Sequence, residues 1–324
     1  MVVSPSNNPF GGIIITMKLH KILCVGFSGS ELEDSYWQEL DALADARVIG
    51  EVADNTDADT LLVKLGAKVP KELIDQLPNL KYIGMLGTGY GGIDTAYAAS
   101  KGITVTNISD YATEGVAEFT FGILLEHFRA IAHAKKQAKD GDYSDNYNGA
   151  EIKGKKFGVV GLGNIGRRTA ELAQAFGADV SYWSANRKED AETKGIKYTE
   201  LDVLLANSDI ITINLALNPE TDGILAPQRI ESIKKDAIVI NPSPMELLEL
   251  QSLKKSLNEG QFTFIMDHSD EVEADEMRQL SLLEKCIVYP PIAYLTAEAS
   301  QLKKRIYIDN IKNFLEDKPS NKVN

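Results

Sequence analysis

The chain has 324 residues, enough for about two domains, and its 44% hydrophobic and 25% charged residues are ordinary for a globular protein with a sizeable core. Lys and Arg number 34 against 47 Asp and Glu, a formal net charge of −13 that supplies no basic stripe for nucleic acid and no attraction to an anionic membrane. Cys24 and Cys286 lie far apart in apolar, strand-like runs, so they read as buried thiols of a reducing compartment rather than a disulfide or a metal site. Residues 1–17 read as a polar tail with Pro5, Pro9, Gly11 and Gly12, and Met17 is an alternative start. Their only apolar core, Ile13-Ile14-Ile15, is too short for a signal peptide or a spanning helix, and the cytoplasm is the expected location.

From Lys21 the pattern alternates strand and helix, which implies α/β domains with parallel sheets. Strands are expected at Lys21–Phe27, Arg47–Glu51, Thr60–Leu65, Leu80–Leu86 and Thr104–Ile108, with helices at Glu31–Leu43, Lys71–Gln76 and Asp94–Lys101. One long amphipathic helix, Val116 to about Lys139, follows as a strut, apolar in its first half and charged in its second. A second series then runs through strands at Val180–Trp183, Ile210–Leu215, Ala237–Asn241, Phe262–Met266 and Cys286–Tyr289. Its helices are expected at Leu201–Ala206, Pro227–Ser232 and Glu246–Asn258, and a last helix at Thr296 to about Glu316 returns to the first domain. No Cys/His cluster has the spacing of a metal site.

Between the two series stands Lys155-Lys156-Phe157-Gly158-Val159-Val160-Gly161-Leu162-Gly163-Asn164-Ile165-Gly166, a short strand, a glycine turn and a helix start. A dinucleotide-binding turn needs glycine for the bend at Gly161, for close approach of a pyrophosphate at Gly163, and for helix-on-strand packing at Gly166. The phosphates then lie on the helix N-terminus, where N–H groups and the dipole favour an anion.

Two further blocks extend the pattern: Gly87-Thr88-Gly89-Tyr90-Gly91-Gly92-Ile93-Asp94 and Tyr111-Ala112-Thr113-Glu114-Gly115-Val116-Ala117-Glu118. With the glycine turn, in this order and at this spacing, the chain resembles the D-isomer-specific 2-hydroxyacid dehydrogenases from about Thr60 to Ser300. The resemblance implies two flavodoxin- or Rossmann-like domains: a discontinuous substrate domain, 1–115 plus 296–324, and an NAD(P)-binding Rossmann domain, 116–295. It also implies a homodimer, a cleft between the domains, and hydride transfer between a 2-keto acid and NAD(P)H.

That chemistry uses an arginine to clamp the substrate carboxylate, a histidine to protonate the developing alkoxide, and a glutamate to hold the histidine protonated. The arginine's position reads Pro244, in Asn241-Pro242-Ser243-Pro244-Met245-Glu246, a segment with the form of a capping box for the next helix. The histidine's position reads Pro291, in Tyr289-Pro290-Pro291-Ile292-Ala293-Tyr294. The glutamate's position falls near Val272, between Glu271 and Glu273. Candidate substitutes are Lys64, whose plainer role is a solvated loop lysine, His268, and the tyrosines Tyr90, Tyr111 and Tyr294, whose plainer role is packing. His20, His127 and His133 read as terminus or strut surface.

On the cofactor side, the resemblance places Asn164 and Ile165 under the pyrophosphate and Asp267 at the nicotinamide carboxamide, and Pro242 is counted among the cofactor-binding residues. The acid that binds the adenine ribose in NAD-specific proteins is replaced by Ser184, followed by Asn186, Arg187 and Lys188, a set that suits the 2′-phosphate of NADP or else is a plain basic turn. Two functions follow: an NAD(P)-dependent oxidoreductase with altered catalytic residues and a small carbonyl or hydroxy-acid-like substrate, or a dinucleotide-binding pseudoenzyme acting as sensor or partner.

Overall fold

The structure, a computed structural model, describes residues 18–145, 147–269 and 272–324. In chain order the elements are β1 (Leu19–Val25), α1 (Asp34–Leu43), β2 (Ala44–Ile49), β3 (Thr60–Lys64), α2 (Lys71–Ile74), β4 (Tyr82–Leu86), α3 (Thr95–Ser100) and β5 (Thr104–Thr106). Then come α4 (Thr113–Arg129), α5 (Ile131–Lys139), β6 (Lys156–Val160), α6 (Asn164–Ala175), β7 (Asp179–Trp183), α7 (Glu189–Glu192), β8 (Lys197–Tyr198), α8 (Leu201–Asn207) and β9 (Ile210–Ile213). The chain ends with α9 (Pro227–Glu231), β10 (Ile238–Asn241), α10 (Leu250–Asn258), β11 (Thr263–Met266), α11 (Ala274–Ser281), β12 (Cys286–Val288) and α12 (Ala297–Leu315). They form two compact units, one running to Tyr111 and resuming at Ala297, the other Ala112–Thr296.

The first unit is built on a parallel sheet of order β2-β1-β3-β4-β5. Its inner strands β3 and β4 are near-continuous apolar runs because both their faces are covered. On one face α12 supplies Tyr307, Ile308 and Ile311, each fully buried, beside Ile22, Leu62 and Tyr82. Gly84 lets α12 approach, since a Cβ there would come 3.3 Å from the Tyr307 ring, and the Tyr307 hydroxyl donates to the Gly84 carbonyl at 3.2 Å. Cys24 lies in this core and Cys286 in the other unit, and burial pushes their thiols up to about 12 and about 11.

The same helix is fastened to α1 by charge. Arg305 donates to both Glu39 carboxylate oxygens at 3.0 Å, and Lys312 adds a bond of 2.6 Å. These bonds, Arg305's foremost, hold the Glu39 carboxyl down at about 2 against the usual 4.5. A carboxyl depressed on folding stabilises the protein above its unfolded pKa and loses that contribution as pH falls through the folded one, here between about 4.5 and about 2. The partners are about a third exposed, so solvent screening leaves on the order of 1 kcal/mol at neutral pH. Urea unfolding of Glu39→Gln should show that loss at pH 7 and almost none near pH 2. An equal loss at both would contradict the assignment.

The second unit is a seven-stranded parallel sheet of order β12-β11-β10-β9-β6-β7-β8. Strand order reverses between β6 and β9, the switch point at which open α/β sheets bind ligands beyond the strands' carboxyl ends. The expected single strut is two helices. Ala130 takes the left-handed region (φ 43, ψ 46), and the Glu126 carboxylate accepts from the Ala132 N–H, starting α5 anew. α4 buries Val116, Phe121, Leu124 and Phe128, whereas α5 buries nothing. Among the described residues no helix is long and apolar enough to cross a membrane.

Candidate functional site

At the switch point of the second unit the glycine turn has a geometry that only glycine allows. Gly161 lies at φ +94, and a Cβ there would come within 2.4 Å of the Asn214 carbonyl oxygen. Its N–H donates to the Trp183 carbonyl at 2.7 Å, which ties the turn to the end of β7. At Gly166 a Cβ would fall 1.9 Å from the Gly161 carbonyl oxygen, so the first turn of α6 rests directly on the bend. Gly163 differs: at φ −74 its missing Cβ faces open space, and as the N-cap of α6 it brings no side chain to the helix end. That is the shape of a cradle for an anion at a helix N-terminus.

Strand order sets Gly161, Asn214, Asn241 and Asp267 in a row along the carboxyl edge of β6, β9, β10 and β11. Asp267 is 2% exposed, and its Oδ2 accepts from the Ala293 N–H at 2.9 Å. Asn241 is fully buried, donating from Nδ2 to the Ser243 carbonyl at 2.9 Å and to Met245 Sδ at 3.4 Å. The Oδ1 atoms of Asn214 and Asn241 are buried with no hydrogen-bond partner among the described residues. Neither asparagine was singled out from sequence. Their signal was an amide at the end of an otherwise apolar strand, which a turn would explain equally well.

The segment after β10 corrects the capping-box expectation. Ser243 does not cap a helix; its hydroxyl, buried, donates to the Ile213 carbonyl at 2.8 Å and stitches β10 to β9. Met245–Leu247 is a separate short 3-10 turn after Pro244, and α10 is capped by Glu249, which accepts from the N–H groups of Gln251 and Ser252. Pro242 and Pro244 are half-buried.

At the end of β7 the Ser184 side chain turns inward and donates to the Asn186 carbonyl at 2.6 Å, while Asn186 is exposed. Arg187 is not a loose cation. Its Nη2 and Nε bond both oxygens of Glu192 at 2.5 and 3.1 Å, and its guanidinium lies 5.0 Å from the Tyr198 ring centre. Glu192 also accepts from the Tyr182 hydroxyl, and the Arg187 bond holds its carboxyl below the usual range. Sequence reasoning missed this clamp because α7, which carries Glu192, is one turn long.

The catalytic candidates divide between the units. In the second, His268 is half-buried beside Asp267, Tyr294 is 39% exposed, Pro291 is half-buried, and Glu273 is exposed before α11; Glu271 lies outside the described residues. In the first, Lys64 ends β3 with its ammonium 2.7 Å from Glu31, Tyr90 is 39% exposed, and Tyr111 is half-buried. Lys64 lines a pocket of about 310 Å³ at the carboxyl ends of β1 and β3, walled by Leu61, Val63 and Leu73.

Comparison with known proteins gives these features a context. Residues 121–293 match the family profile described as D-isomer specific 2-hydroxyacid dehydrogenase, NAD binding domain. The chain is 30% identical over 310 residues to a hydroxypyruvate reductase of Blautia hydrogenotrophica, covering 90% of this chain and 95% of that one. Among solved structures, it superposes on an acyclic imino acid reductase in complex with NADPH and D-Arg with a TM-score of 0.81 at 25% identity, covering 94% of this chain and 100% of that chain. It superposes on a D-lactate dehydrogenase from Aquifex aeolicus complexed with NAD and lactic acid with a TM-score of 0.79 at 25% identity, covering 92% and 96%.

Proposed function

The chain belongs to the D-isomer specific 2-hydroxyacid dehydrogenase family, and from that premise we propose an NADP(H)-linked oxidoreductase with an altered catalytic set and a small carbonyl- or hydroxy-acid-like substrate. The observation that carries it is the cradle at Gly163, open and without a capping side chain, beside the buried acceptors Asn214, Asn241 and Asp267. These residues fit a dinucleotide. Gly161, Gly163, Asn164, Ile165 and Gly166 would hold its pyrophosphate, Ser184, Asn186 and Arg187 its adenine ribose, and Pro242, Asp267 and the two asparagines its nicotinamide end. When bound, the nicotinamide supplies or accepts the hydride.

Reduction of a ketone leaves an alkoxide and needs a proton donor. With Pro291 at the donor's position, the chain suits a substrate that arrives already protonated. A protonated imine is such a substrate, because hydride addition to it gives a neutral amine directly. The solved imino acid reductase, described with NADPH and D-Arg, is a relative for which that chemistry is named. The second reading, a dinucleotide-binding sensor without turnover, rests on prolines at both catalytic positions beside a retained glycine turn.

NADPH should bind more tightly than NADH, because Ser184 brings no negative charge and Arg187 offers a bidentate cation. A charge-assisted contact contributes about 1.5–3 kcal/mol, and competition from Glu192 puts the preference near the lower figure, roughly tenfold. In calorimetric titrations Arg187→Ala should remove most of it, and Glu192→Gln should enlarge it. Equal or tighter NADH binding by the unmodified protein would refute this assignment.

We also propose a homodimer, formed through the region of α4 and α5 and the loop that follows, where Ile131, Tyr143 and Tyr147 are exposed. Sedimentation at micromolar concentration should give a dimer. A monomer would rule it out.

A further inference from the structure

We infer that Asn107 and the C-terminal segment 317–324 form a clasp that sets the conformation of the glycine-rich loop 87–92, with Asn107 as its positioning residue. What that loop does in turnover belongs to the oxidoreductase reading, whereas the clasp rests on bonds made entirely within the first unit.

The loop needs outside support. Four of its six residues are glycines, which leave the backbone free to sample many conformations, and residues 88–92 are exposed. Its far end is fixed by packing: the Gly92 carbonyl accepts from the Val69 N–H at 2.8 Å, and a Cβ at Gly92 would fall 2.3 Å from the Ala67 carbonyl oxygen. Its near end is bonded to the segment after β5. The Ile108 N–H donates to the Gly87 carbonyl at 2.9 Å, the Thr88 hydroxyl to the Ile108 carbonyl at 2.9 Å, and Asn107 Nδ2 to the Thr88 carbonyl at 2.7 Å.

Asn107, 8% exposed, joins three segments at once. Its side chain holds the loop, its N–H donates to the Asn321 carbonyl at 3.2 Å, and its carbonyl accepts from Asn310 Nδ2 of α12 at 2.8 Å. Asn310, fully buried, turns its Oδ1 to the C-terminal segment, accepting from the Ser320 hydroxyl and from Asn321 Nδ2, each at 2.8 Å. The Ser109 hydroxyl donates to Asn321 Oδ1 at 3.0 Å. Asn321 lies at φ 50, in the left-handed region that asparagine tolerates better than most side chains, so this residue type suits both the turn and the bonds. Beyond it the Val323 N–H donates to the Val105 carbonyl at 2.9 Å, and the Asn324 side chain spans the Val105 N–H and the Ile103 carbonyl at 2.9 and 2.6 Å. That pairing covers the edge of β5 and fixes the register at which Asn321 meets Asn107. A buried amide that loses a partner is costly, so the network favours one arrangement of all three segments. The glycine loop thus takes its shape from the far end of the chain.

The test is amide hydrogen exchange, followed by NMR, on the full-length protein. Asn321→Gly removes the side chain and suits φ 50. It should speed exchange about tenfold at Ile108 and Ile93, whose N–H groups bond the Gly87 and Tyr90 carbonyls. Asn107→Asp keeps the shape of the side chain, loses the donor to Thr88, and should do the same. Amides of Leu61 and Leu62 in β3, and of Val239 and Ile240 in β10, should keep their rates in both variants. Ser320→Ala removes one bond to Asn310 and should give a smaller rise at the same two amides, a result that stands even if another variant does not fold. Unchanged exchange at Ile108 and Ile93 in Asn321→Gly would overturn the clasp. A rise spread evenly over the first unit would make Asn107 a general staple and overturn its positioning role. Exchange needs no turnover, so an inactive protein would end the oxidoreductase reading while leaving this result to stand or fall by itself.

Discussion

Pyruvate, glyoxylate and hydroxypyruvate should be reduced several orders of magnitude more slowly by this protein than by a relative that has the arginine and the histidine. A lost bidentate cation costs on the order of 1.5–3 kcal/mol, and a lost general acid ~10²–10⁴ in rate. The two effects are not additive, yet each alone is large. Putting back one residue should not rescue the reaction. Pro244 lies in a segment held by Asn241 to the Ser243 carbonyl and by Ser243 to the Ile213 carbonyl, so an arginine there would meet a backbone fixed for another purpose. If the substrate is an imine, ammonia or a primary amine added with the keto acid should raise NADPH consumption well above the keto acid alone. Steady-state assays of the same panel with NADPH and NADH, with and without amine, decide among the readings. Turnover of a keto acid alone at about 1 s⁻¹ or more would mean that His268, Lys64 or Tyr294 has taken the lost role, and the sensor reading would fall. No consumption under any condition would leave the sensor.

Gly163→Ala and Gly166→Ala should fail in opposite ways. At Gly163 the added methyl meets nothing within 4 Å and the backbone is in a region open to alanine, so the fold should be untouched. The methyl would occupy the approach of the pyrophosphate, and a steric conflict of about 1–3 kcal/mol there should weaken NADPH binding ~10- to 100-fold. At Gly166 the methyl would sit 1.9 Å from the Gly161 carbonyl oxygen, so α6 must lift from the bend. That variant should lose stability and cofactor together, by a few kcal/mol in unfolding. Thermal unfolding and NADPH fluorescence titration separate the two. An alanine at 163 that binds NADPH as well as glycine would remove the cradle from its assigned role.

The parallel strands were legible because burial on both faces writes them as runs of Val, Ile and Leu, as in Leu61-Leu62-Val63 or Ile210-Ile211. Short polar elements carried no such mark, and α7, β8 and α11 went unseen. The break at Ala130 was hidden by its residue type, since alanine favours a helix and only the Glu126 cap and the unburied face of α5 reveal the interruption. The capping box failed for a different reason: the Ser243 side chain is buried with its hydroxyl on the Ile213 carbonyl, and the helix it was expected to cap begins only at Leu250, behind Glu249. On the site side, the glycine turn could be read from spacing alone. The Arg187–Glu192 clamp could not, because it depends on which charges meet in three dimensions.

One consequence of the first unit's two-part chain concerns its synthesis. Ile22, Leu62 and Tyr82 emerge from the ribosome early, but the helix that covers them, with Tyr307, Ile308 and Ile311, is made only after all of Ala112–Thr296. At elongation rates of about 5–20 residues per second, that face waits on the order of ten seconds or more in the nascent chain. The second unit, continuous in sequence, can close during the wait. The nascent protein therefore passes through a state with one unit complete and the other with its apolar face uncovered, the species on which a chaperone or an aggregation pathway would act.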